Sequence, residues 1–203
     1  MGVNVFIWNS LKELNLLDFS AKKRAIVIGE QQVWGIEEIQ NGTLFKDFLR
    51  SKGWEADAID LGTHPVYKTS LKLDLALPLP EDMKNKYDIL FDFGTGEHIR
   101  DQSTYWENCH KIVKEEGSRV HALPPPGSWP GHCVYRYTEQ FFSSLSKAFE
   151  YELRSSRTIG SGRERLVFAY FGNGRKHFKK EDFDKKAFKE IEVEKNFIDS
   201  ESI

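Results

Sequence analysis

The sequence predicts an α/β fold, namely a doubly wound, mostly parallel sheet that ends in a C-terminal antiparallel hairpin. Three nearly unbroken apolar runs, at 24–29, 87–94 and 119–124, are typical of strands buried on both faces of a sheet. Amphipathic helical patterns lie between these runs. Two further strand-like segments near the C-terminus, 151–159 and 164–172, are joined by very few residues. Strands and helices that alternate in this order favour a single doubly wound domain in a chain of 203 residues.

The N-terminal part of the chain predicts two helices around the first strand. Residues 1–23 are expected to form a helical extension of the domain, with a short helix over 11–20 that packs against the edge of the sheet. A second helix is predicted over 43–53, because its apolar residues share one face and Gly53 is a natural residue to follow a helix in the left-handed conformation. The next strand is predicted at 54–60.

The middle of the chain departs from a regular alternation. Ten residues, 61–70, separate the second strand from a short strand at 71–75, and they include a proline. We therefore expect a loop there in place of a crossover helix. Longer helices are predicted over 103–117 and over 138–149, the latter with Thr138 as its N-cap. The apolar face of the first of these comprises Trp106, Cys109, Ile112 and Val113.

The C-terminal third predicts the hairpin. Segments 151–159 and 164–172 are separated by four residues, which is too short for a parallel crossover, so the two strands must pair antiparallel. We therefore assign residues 1–174 to one α/β domain. The charged residues 175–203 predict either an amphipathic helix that docks on this domain or a mobile tail.

Composition limits the classes of function. Lys and Arg number 29 against 31 Asp and Glu, a formal net charge of −2, so no basic surface for nucleic acid is indicated. No apolar run approaches the roughly 20 residues that cross a bilayer, and the N-terminus lacks a secretory pattern. Cys109 and Cys133 fit no disulfide framework. We expect a cytoplasmic protein that acts on a small molecule, and the aromatic-rich C-terminal segment leaves room for a homodimer.

Acidic and glycine-bearing segments follow the predicted strands at one edge of the sheet. In open α/β sheets, ligands bind at the carboxyl ends of the strands, near the point where the strand order reverses. Residues 29–32, Asp60, Asp74 and 94–98 all lie at or just beyond such ends. Asp60 can accept hydrogen bonds from both hydroxyls of a ribose, and the glycines within 94–98 permit close approach of a ligand to the backbone.

Three histidines are candidates for acid–base chemistry. His98 and His132 follow the fourth and fifth predicted strands on the same edge, where a histidine near neutrality could remove a proton. Each has a structural alternative, since His98 could fix its loop and His132 lies in a proline-rich segment that could be a lid. His121 lies inside the fifth strand and is expected to be structural. No metal site is predicted, because the histidines show no HxH or HExxH spacing.

The strand order and two sequence pieces resemble a known family. "KYDILFDFGTGEHI" and "GHCVYRYTEQFF", together with the terminal hairpin, resemble the class I S-adenosylmethionine-dependent methyltransferases over about residues 24–172. The most specific piece, 91–99, is similar to the family's fourth-strand motif. Segment 73–80 resembles the family's acidic segment before that strand, in which an acidic side chain commonly faces the adenine amino group.

The resemblance implies a Rossmann-like methyltransferase fold, S-adenosylmethionine as cofactor, and methyl transfer to an oxygen or nitrogen of an unidentified small-molecule acceptor. It implies His98 and His132 as catalytic residues. Asp92 is expected to contact either the cofactor ammonium or a substrate group. The residues expected at the cofactor are Gly29, Glu30, Gln31, Asp60, Leu61, Asp74, Leu75, Asp92, Phe93 and Gly94.

The turn after the first strand departs from the family's pattern. Val27 stands where the family usually has an acidic residue, Gly29 matches one glycine, and Gln31 and Val33 stand where two further glycines would. S-adenosylmethionine has no phosphates, so the turn needs one close backbone approach and polar groups for the methionine part, which Glu30, Gln31 and Gln32 could supply. The alternative is a catalytically silent binding or assembly module that has kept the fold.

Overall fold

A computed structural model of the chain describes residues 2–62, 71–174 and 176–194. The helices are α1 (Val5–Glu13), α2 (Phe45–Ser51), α3 (Gln102–Ile112), α4 (Glu139–Phe149) and α5 (Lys180–Lys186). The strands are β1 (Arg24–Ile28), β2 (Glu55–Asp60), β3 (Leu71–Lys72), β4 (Tyr87–Asp92), β5 (Val113–Leu123), β6 (Tyr135–Arg136), β7 (Glu152–Ile159), β8 (Leu166–Gly172) and β9 (Glu192–Val193). None of the helices in the described ranges is long and apolar enough to cross a membrane.

The main sheet has seven strands in the order β3-β2-β1-β4-β5-β8-β7. The first five are mutually parallel, β8 is antiparallel to β5, and β7 is antiparallel to β8. This arrangement confirms the predicted fold class and the predicted terminal hairpin. The strand order reverses between β1 and β4, which is where open α/β sheets form their ligand crevice.

Both faces of the sheet are covered, as the unbroken apolar runs predict. Ile26 and Ile28 of β1 belong to the cluster formed with α3, α4 and α5, whereas Ala25 and Val27 belong to the cluster formed with α1 and α2. Successive side chains of a strand point to opposite faces, so a strand between two helical layers must be apolar at every position. Trp106 of α3 is fully buried and packs against Tyr105 and Phe141.

Two predicted helix boundaries are wrong. The first helix is Val5–Glu13 and not 11–20, because the Asn4 side chain caps it by accepting hydrogen bonds from two backbone amides. Left-handed Asn15, with φ of 51°, stands just beyond its end.

The third predicted helix ends at Ile112 and not at Gly117. Val113 already begins β5, which pairs with Tyr87 of β4 before the register shifts. A Cβ on Gly117 would lie 2.8 Å from the carbonyl oxygen of Asp88, so this glycine permits a close approach between strands and does not end a helix.

The other predicted elements are close to those observed. The Oγ1 of Thr138 accepts a hydrogen bond from the Phe141 amide at 3.0 Å, which confirms the predicted cap of α4. The strand predicted over 71–75 is limited to Leu71–Lys72. The loop predicted over 61–70 falls largely outside the described residues, which stop at 62 and resume at 71.

The described part of the C-terminal segment packs on the body. Phe183 and Ala187 are fully buried, in the same cluster as α3 and α4. The strand β9 pairs antiparallel with β6, and Glu194 accepts a hydrogen bond from Arg136 at 2.9 Å. These contacts attach the segment to the chain that follows β5. The division of the chain at residue 174 stays a prediction.

Candidate active site at the carboxyl edge of the sheet

A cleft opens where β1, β2 and β4 end. Ile28 lies beside Ile59 on one side and beside Asp92 on the other, so these three strands end at the same level. The cleft is lined by Ile28, Ile59, Asp60, Leu61, Leu73, Asp74, Leu75, Thr95 and Ile99. Four of the ten predicted cofactor residues therefore line one cleft, and they come from two segments that are separated in sequence.

Asp60 connects the cleft to the turn after β1. Its Oδ2 accepts a hydrogen bond from the Glu30 amide at 3.0 Å, and its Oδ1 accepts one from the Gly62 amide at 2.9 Å. A carboxylate oxygen can accept a second hydrogen bond. Asp60 can therefore hold this turn in place and still accept hydrogen bonds from ligand hydroxyls.

The turn after β1 is filled by the chain's own side chains. Gly29 has φ of 77°, and a Cβ at this position would lie 2.4 Å from Thr95 Oγ1 and 2.8 Å from Gln31 Nε2. The Gln31 amide group donates to the Ile28 carbonyl at 2.9 Å and to Thr95 at 3.1 Å. Its Oε1 is buried and has no hydrogen-bond partner within the described chain. Gln31 thus takes up space that a glycine would leave open.

Glu30 is held by a buried ion pair. It contacts the Nζ of Lys46 in α2, and the two side chains are 7% and 3% exposed. The other carboxylate oxygen, Oε2, is buried and lacks a hydrogen-bond partner among the residues described. The sequence predicted Glu30 as a polar contact for the cofactor, but it did not indicate that a lysine would neutralise it.

Asp92 faces protein donors. It is fully buried and accepts hydrogen bonds from Tyr105 Oη at 2.5 Å, from the Thr95 amide at 2.9 Å and from the Gly96 amide at 3.3 Å. His121 Nδ1 lies 3.4 Å from the same carboxylate. These contacts favour a positioning role for Asp92, which shapes the turn after β4, over the direct cofactor contact expected from the sequence.

Phe93 and Gly94 follow Asp92 but do not line the cleft. The Phe93 ring is fully buried in the cluster on the α1 and α2 face, 5.7 Å from the ring of Phe45. Gly94 has φ of 100°, a conformation that favours glycine, and it turns the chain out of β4. Both residues support the turn, and any contact of theirs with a cofactor would come from the backbone.

Glu97, His98 and His132 meet beside this turn. Glu97 is fully buried, and His98 Nε2 lies 3.8 Å from its Oε1. The rings of His98 and His132 are 4.9 Å apart and nearly perpendicular. The sequence placed both histidines at this edge but missed Glu97. Its place in the motif "GTGEHI" was a signal that could have indicated Glu97. It was missed because a charged residue in a loop is expected to be exposed.

Loss of solvent contact sets the charge of this group, fully for Glu97 and partly for His98, whose side chain is 37% exposed. Burial, followed by the negative charge of Asp92, raises the pKa of Glu97 well above its usual range. Burial, followed by the nearby His132, lowers the pKa of His98 to about 4, and burial also lowers the pKa of His132. Both imidazoles are therefore neutral near pH 7, which is the form that accepts a proton or binds a metal.

His121 is structural, as the sequence predicted. It is fully buried inside β5, where its ring stacks on Phe171 and lies 4.6 Å from the ring of Trp106. Burial lowers the pKa of His121, so the ring stays neutral in the core.

A larger cavity of about 270 Å³ lies at the opposite edge of the sheet. Its lining includes Lys84, His110 and Asn173. Asn85, which also lines it, precedes β4, so this cavity is at the amino end of a parallel strand. Ligands of open α/β sheets bind at the carboxyl ends. The smaller cleft beside Asp60 is therefore the better candidate for the cofactor.

A scan against protein-family models and a search of curated protein sequences found no match. Solved structures do match. The chain matches solved S-adenosylmethionine-dependent methyltransferases over about four fifths of its length. The chain has the class I methyltransferase fold.

Three solved structures illustrate the similarity to this methyltransferase fold. One is the 1,6-didemethyltoxoflavin-N1-methyltransferase of Burkholderia thailandensis with bound 1,6-didemethyltoxoflavin and S-adenosylhomocysteine, at 13% identity and a TM-score of 0.56, covering 81% of this chain and 74% of that one. The second is a TehB-like methyltransferase from Corynebacterium glutamicum, at 16% identity and a TM-score of 0.52, covering 82% of this chain and 94% of that one. The third is a methyltransferase from Methanosarcina mazei, at 10% identity and a TM-score of 0.55, covering 75% of this chain and 93% of that one. At these identities the similarity establishes the fold.

Proposed function

We propose that this protein transfers a methyl group from S-adenosylmethionine to an oxygen or nitrogen atom of a small-molecule acceptor. The observation that carries the proposal is the cleft lined by Asp60 and Asp74, at the point where the strand order of a methyltransferase fold reverses. The Burkholderia neighbour, which has this fold, contains bound S-adenosylhomocysteine, the demethylated form of the donor.

The lining of the cleft suits an adenosyl group. Ile28, Ile59 and Leu75 are buried and offer apolar walls for the adenine ring. Asp60 would accept hydrogen bonds from the ribose hydroxyls. Asp74 is exposed at the rim, and its Oδ1 already accepts a hydrogen bond from the Ala76 amide, so its remaining acceptor capacity would serve the adenine amino group.

The acceptor side of the site would be formed by His98 and His132. The sulfonium of the donor makes its methyl group electrophilic, so the protein has to align donor and acceptor and, for an oxygen acceptor, remove a proton. Both histidines are neutral near pH 7 and lie beside the turn that follows β4. His132 is the better candidate to take the proton of an acceptor bound next to the donor, because the strongly lowered pKa of His98 makes that ring a weak base near neutrality.

Calorimetric titration with S-adenosylmethionine and S-adenosylhomocysteine tests the donor site. We expect micromolar binding that Asp60→Ala weakens at least tenfold, which corresponds to about 1.4 kcal/mol. Asp182→Ala, in the partly exposed ion pair of α5 with Lys186, is the matched control and should leave the affinity unchanged. An Asp60→Ala protein that is folded and binds with the affinity of the unchanged chain would contradict the assignment of the cleft.

One observation favours the second candidate, a catalytically silent binding module. The Gln31 side chain fills the space over Gly29, where a bound donor needs room for its methionine part. Gln31→Gly removes that side chain. If the unchanged protein binds neither donor nor product while Gln31→Gly binds either one, the turn blocks the site and the silent module is supported.

The remaining partner assignments are also proposals. The balanced charge of the chain supports an acceptor that is a small molecule and not a nucleic acid. The cytoplasmic location and the homodimer stay predictions from the sequence. Sedimentation of the purified protein over a range of concentrations would decide the oligomeric state.

A further inference from the structure

We propose that Glu97, His98 and His132 form a binding site for a divalent transition-metal ion of the zinc type. Within residues 2–62, 71–174 and 176–194, these three side chains are the one group whose ligand atoms come together as a metal site requires, all within 4.8 Å of one another. The inference concerns a metal site beside the cleft and does not rest on the proposed methyl transfer. With a metal bound, His98 and His132 would be its ligands, so the proton-accepting role proposed for them applies to the metal-free protein.

The strongest indication is the state of Glu97. Its side chain is fully buried, yet neither carboxylate oxygen has a hydrogen-bond partner in the described part of the chain. Buried carboxylates are normally paired, hydrogen-bonded or bound to a metal. The nearby buried cation does not fill this role. The Arg136 guanidinium pairs with Glu194 and donates to the carbonyl oxygen of Trp129, and although its Nε has no hydrogen-bond partner, it forms no ion pair with Glu97 among the described residues.

The two histidines offer matching donors. His98 Nε2 already lies 3.8 Å from Glu97 Oε1, and His132 Nε2 is buried and has no hydrogen-bond partner among the described residues. Two ligand atoms bound to one zinc ion at about 2.1 Å lie about 3.4 Å apart at the tetrahedral angle. The group would therefore need to contract by at most about 1.4 Å, which small rotations of the side chains can supply.

The backbone holds the two segments of this site together. The Val134 amide, two residues after His132, donates to the Glu97 carbonyl at 3.2 Å. The Trp129 indole donates to the Arg165 carbonyl at 3.2 Å, which fastens the loop before His132 to the start of β8. Metal sites need ligands that the surrounding structure has oriented in advance.

The donor set indicates which metal ions the site would take. Imidazole nitrogens suit zinc, iron, cobalt and nickel, whereas magnesium and calcium prefer sites made of oxygen ligands. Two histidines and one carboxylate leave at least one coordination position open. Open positions are typical of catalytic metal sites and not of structural ones, which are closed by four protein ligands.

The test is metal binding by tag-free protein that has been treated with a chelator, in the absence of donor and acceptor. We expect one equivalent of zinc to bind in a calorimetric titration, cobalt to give the visible absorption of a low-symmetry site, and magnesium to give no binding. Zinc should also raise the thermal melting temperature, because a ligand that binds only the folded state stabilises it. Failure of S-adenosylmethionine binding would leave each of these readouts untouched.

Variants assign the site. Glu97→Gln keeps the size of the side chain. Each of the three variants Glu97→Gln, His98→Gln and His132→Gln should weaken zinc binding at least about tenfold. Even the loss of a residue that only hydrogen-bonds to a metal ligand weakens metal binding by about this factor or more. His177→Gln, at an exposed histidine, is the control and should bind zinc as the unchanged protein does.

Two outcomes would overturn the proposal. One is a folded, unchanged protein that binds no zinc or cobalt, and the other is zinc binding that survives all three substitutions. A variant that fails to fold would be recognised by circular dichroism, and the remaining two variants would still decide the result.

Discussion

The ion pair between Glu30 and Lys46 offers a quantitative test of how the turn after β1 is held. Both side chains are almost completely buried, so replacement of Lys46 by Met leaves the Glu30 carboxylate without its cation in the interior. Breaking a buried pair from one side costs about 3–5 kcal/mol of unfolding free energy. In a chain of this size, about 1 kcal/mol lowers the melting temperature by roughly 2–4 °C, so Lys46→Met should melt at least about 6 °C lower.

The double variant separates the pair from its parts. Glu30→Gln with Lys46→Met removes both charges, and it should recover most of the loss because no uncompensated charge remains. Urea unfolding of the unchanged protein, both single variants and the double variant gives the coupling energy, which we expect to be about 2 kcal/mol or more.

An exposed ion pair provides the control. Lys22 and Glu55 lie 2.8 Å apart, with side chains that are 67% and 56% exposed, so Lys22→Met should cost less than about 1 kcal/mol. The reasoning about Glu30 would be refuted if Lys46→Met cost no more than Lys22→Met, or if the effects of the two buried substitutions were simply additive.

Two further predictions follow from packing and titration. Gly96→Ala should destabilise the protein by about 1–3 kcal/mol in urea unfolding, because its Cβ would lie 2.6 Å from Tyr105 Oη; an unchanged midpoint would contradict this contact. Burial lowers the pKa of His110 to about 3, so this ring stays neutral in the folded chain but protonates below about pH 6.5 in the unfolded chain. From pH 7 to pH 5, the free energy of unfolding, measured with urea, should therefore fall by up to about 2 kcal/mol more in the unchanged protein than in His110→Gln. Equal decreases in the two proteins would exclude the effect.

The apolar runs and short connections were sufficient to predict the fold class. Every residue of β1 after Arg24 is buried, and a five-residue strand buried on both faces has few other interpretations. The boundary between α3 and β5 was missed, since "KEEG" continues a helical pattern while pairing with β4 begins at Val113. Strand pairing depends on distant residues, which local patterns do not report.

The site was predictable where it depends on strand ends and not where it depends on side-chain partners. Asp60 and Asp74 were expected at the edge of the sheet, and both line the cleft. The contacts of Glu30 with Lys46 and of Asp92 with Tyr105 involve residues from other elements, so no spacing in the sequence indicates them. Glu97 was missed for the same reason, because only the folded chain shows its burial.

The attachment of β9 to β6 has a consequence for the order in which the molecule is completed during translation. All seven strands of the main sheet end by Gly172, so the ribosome has made every one of them before it reaches Glu192–Val193. The loop that carries His132 is held by Glu97 and Arg165 and gains further contacts when Glu192–Val193 and Glu194 reach Val134 and Arg136. The packing around the loop that carries His132 is therefore completed by residues that are synthesised after every strand of the main sheet.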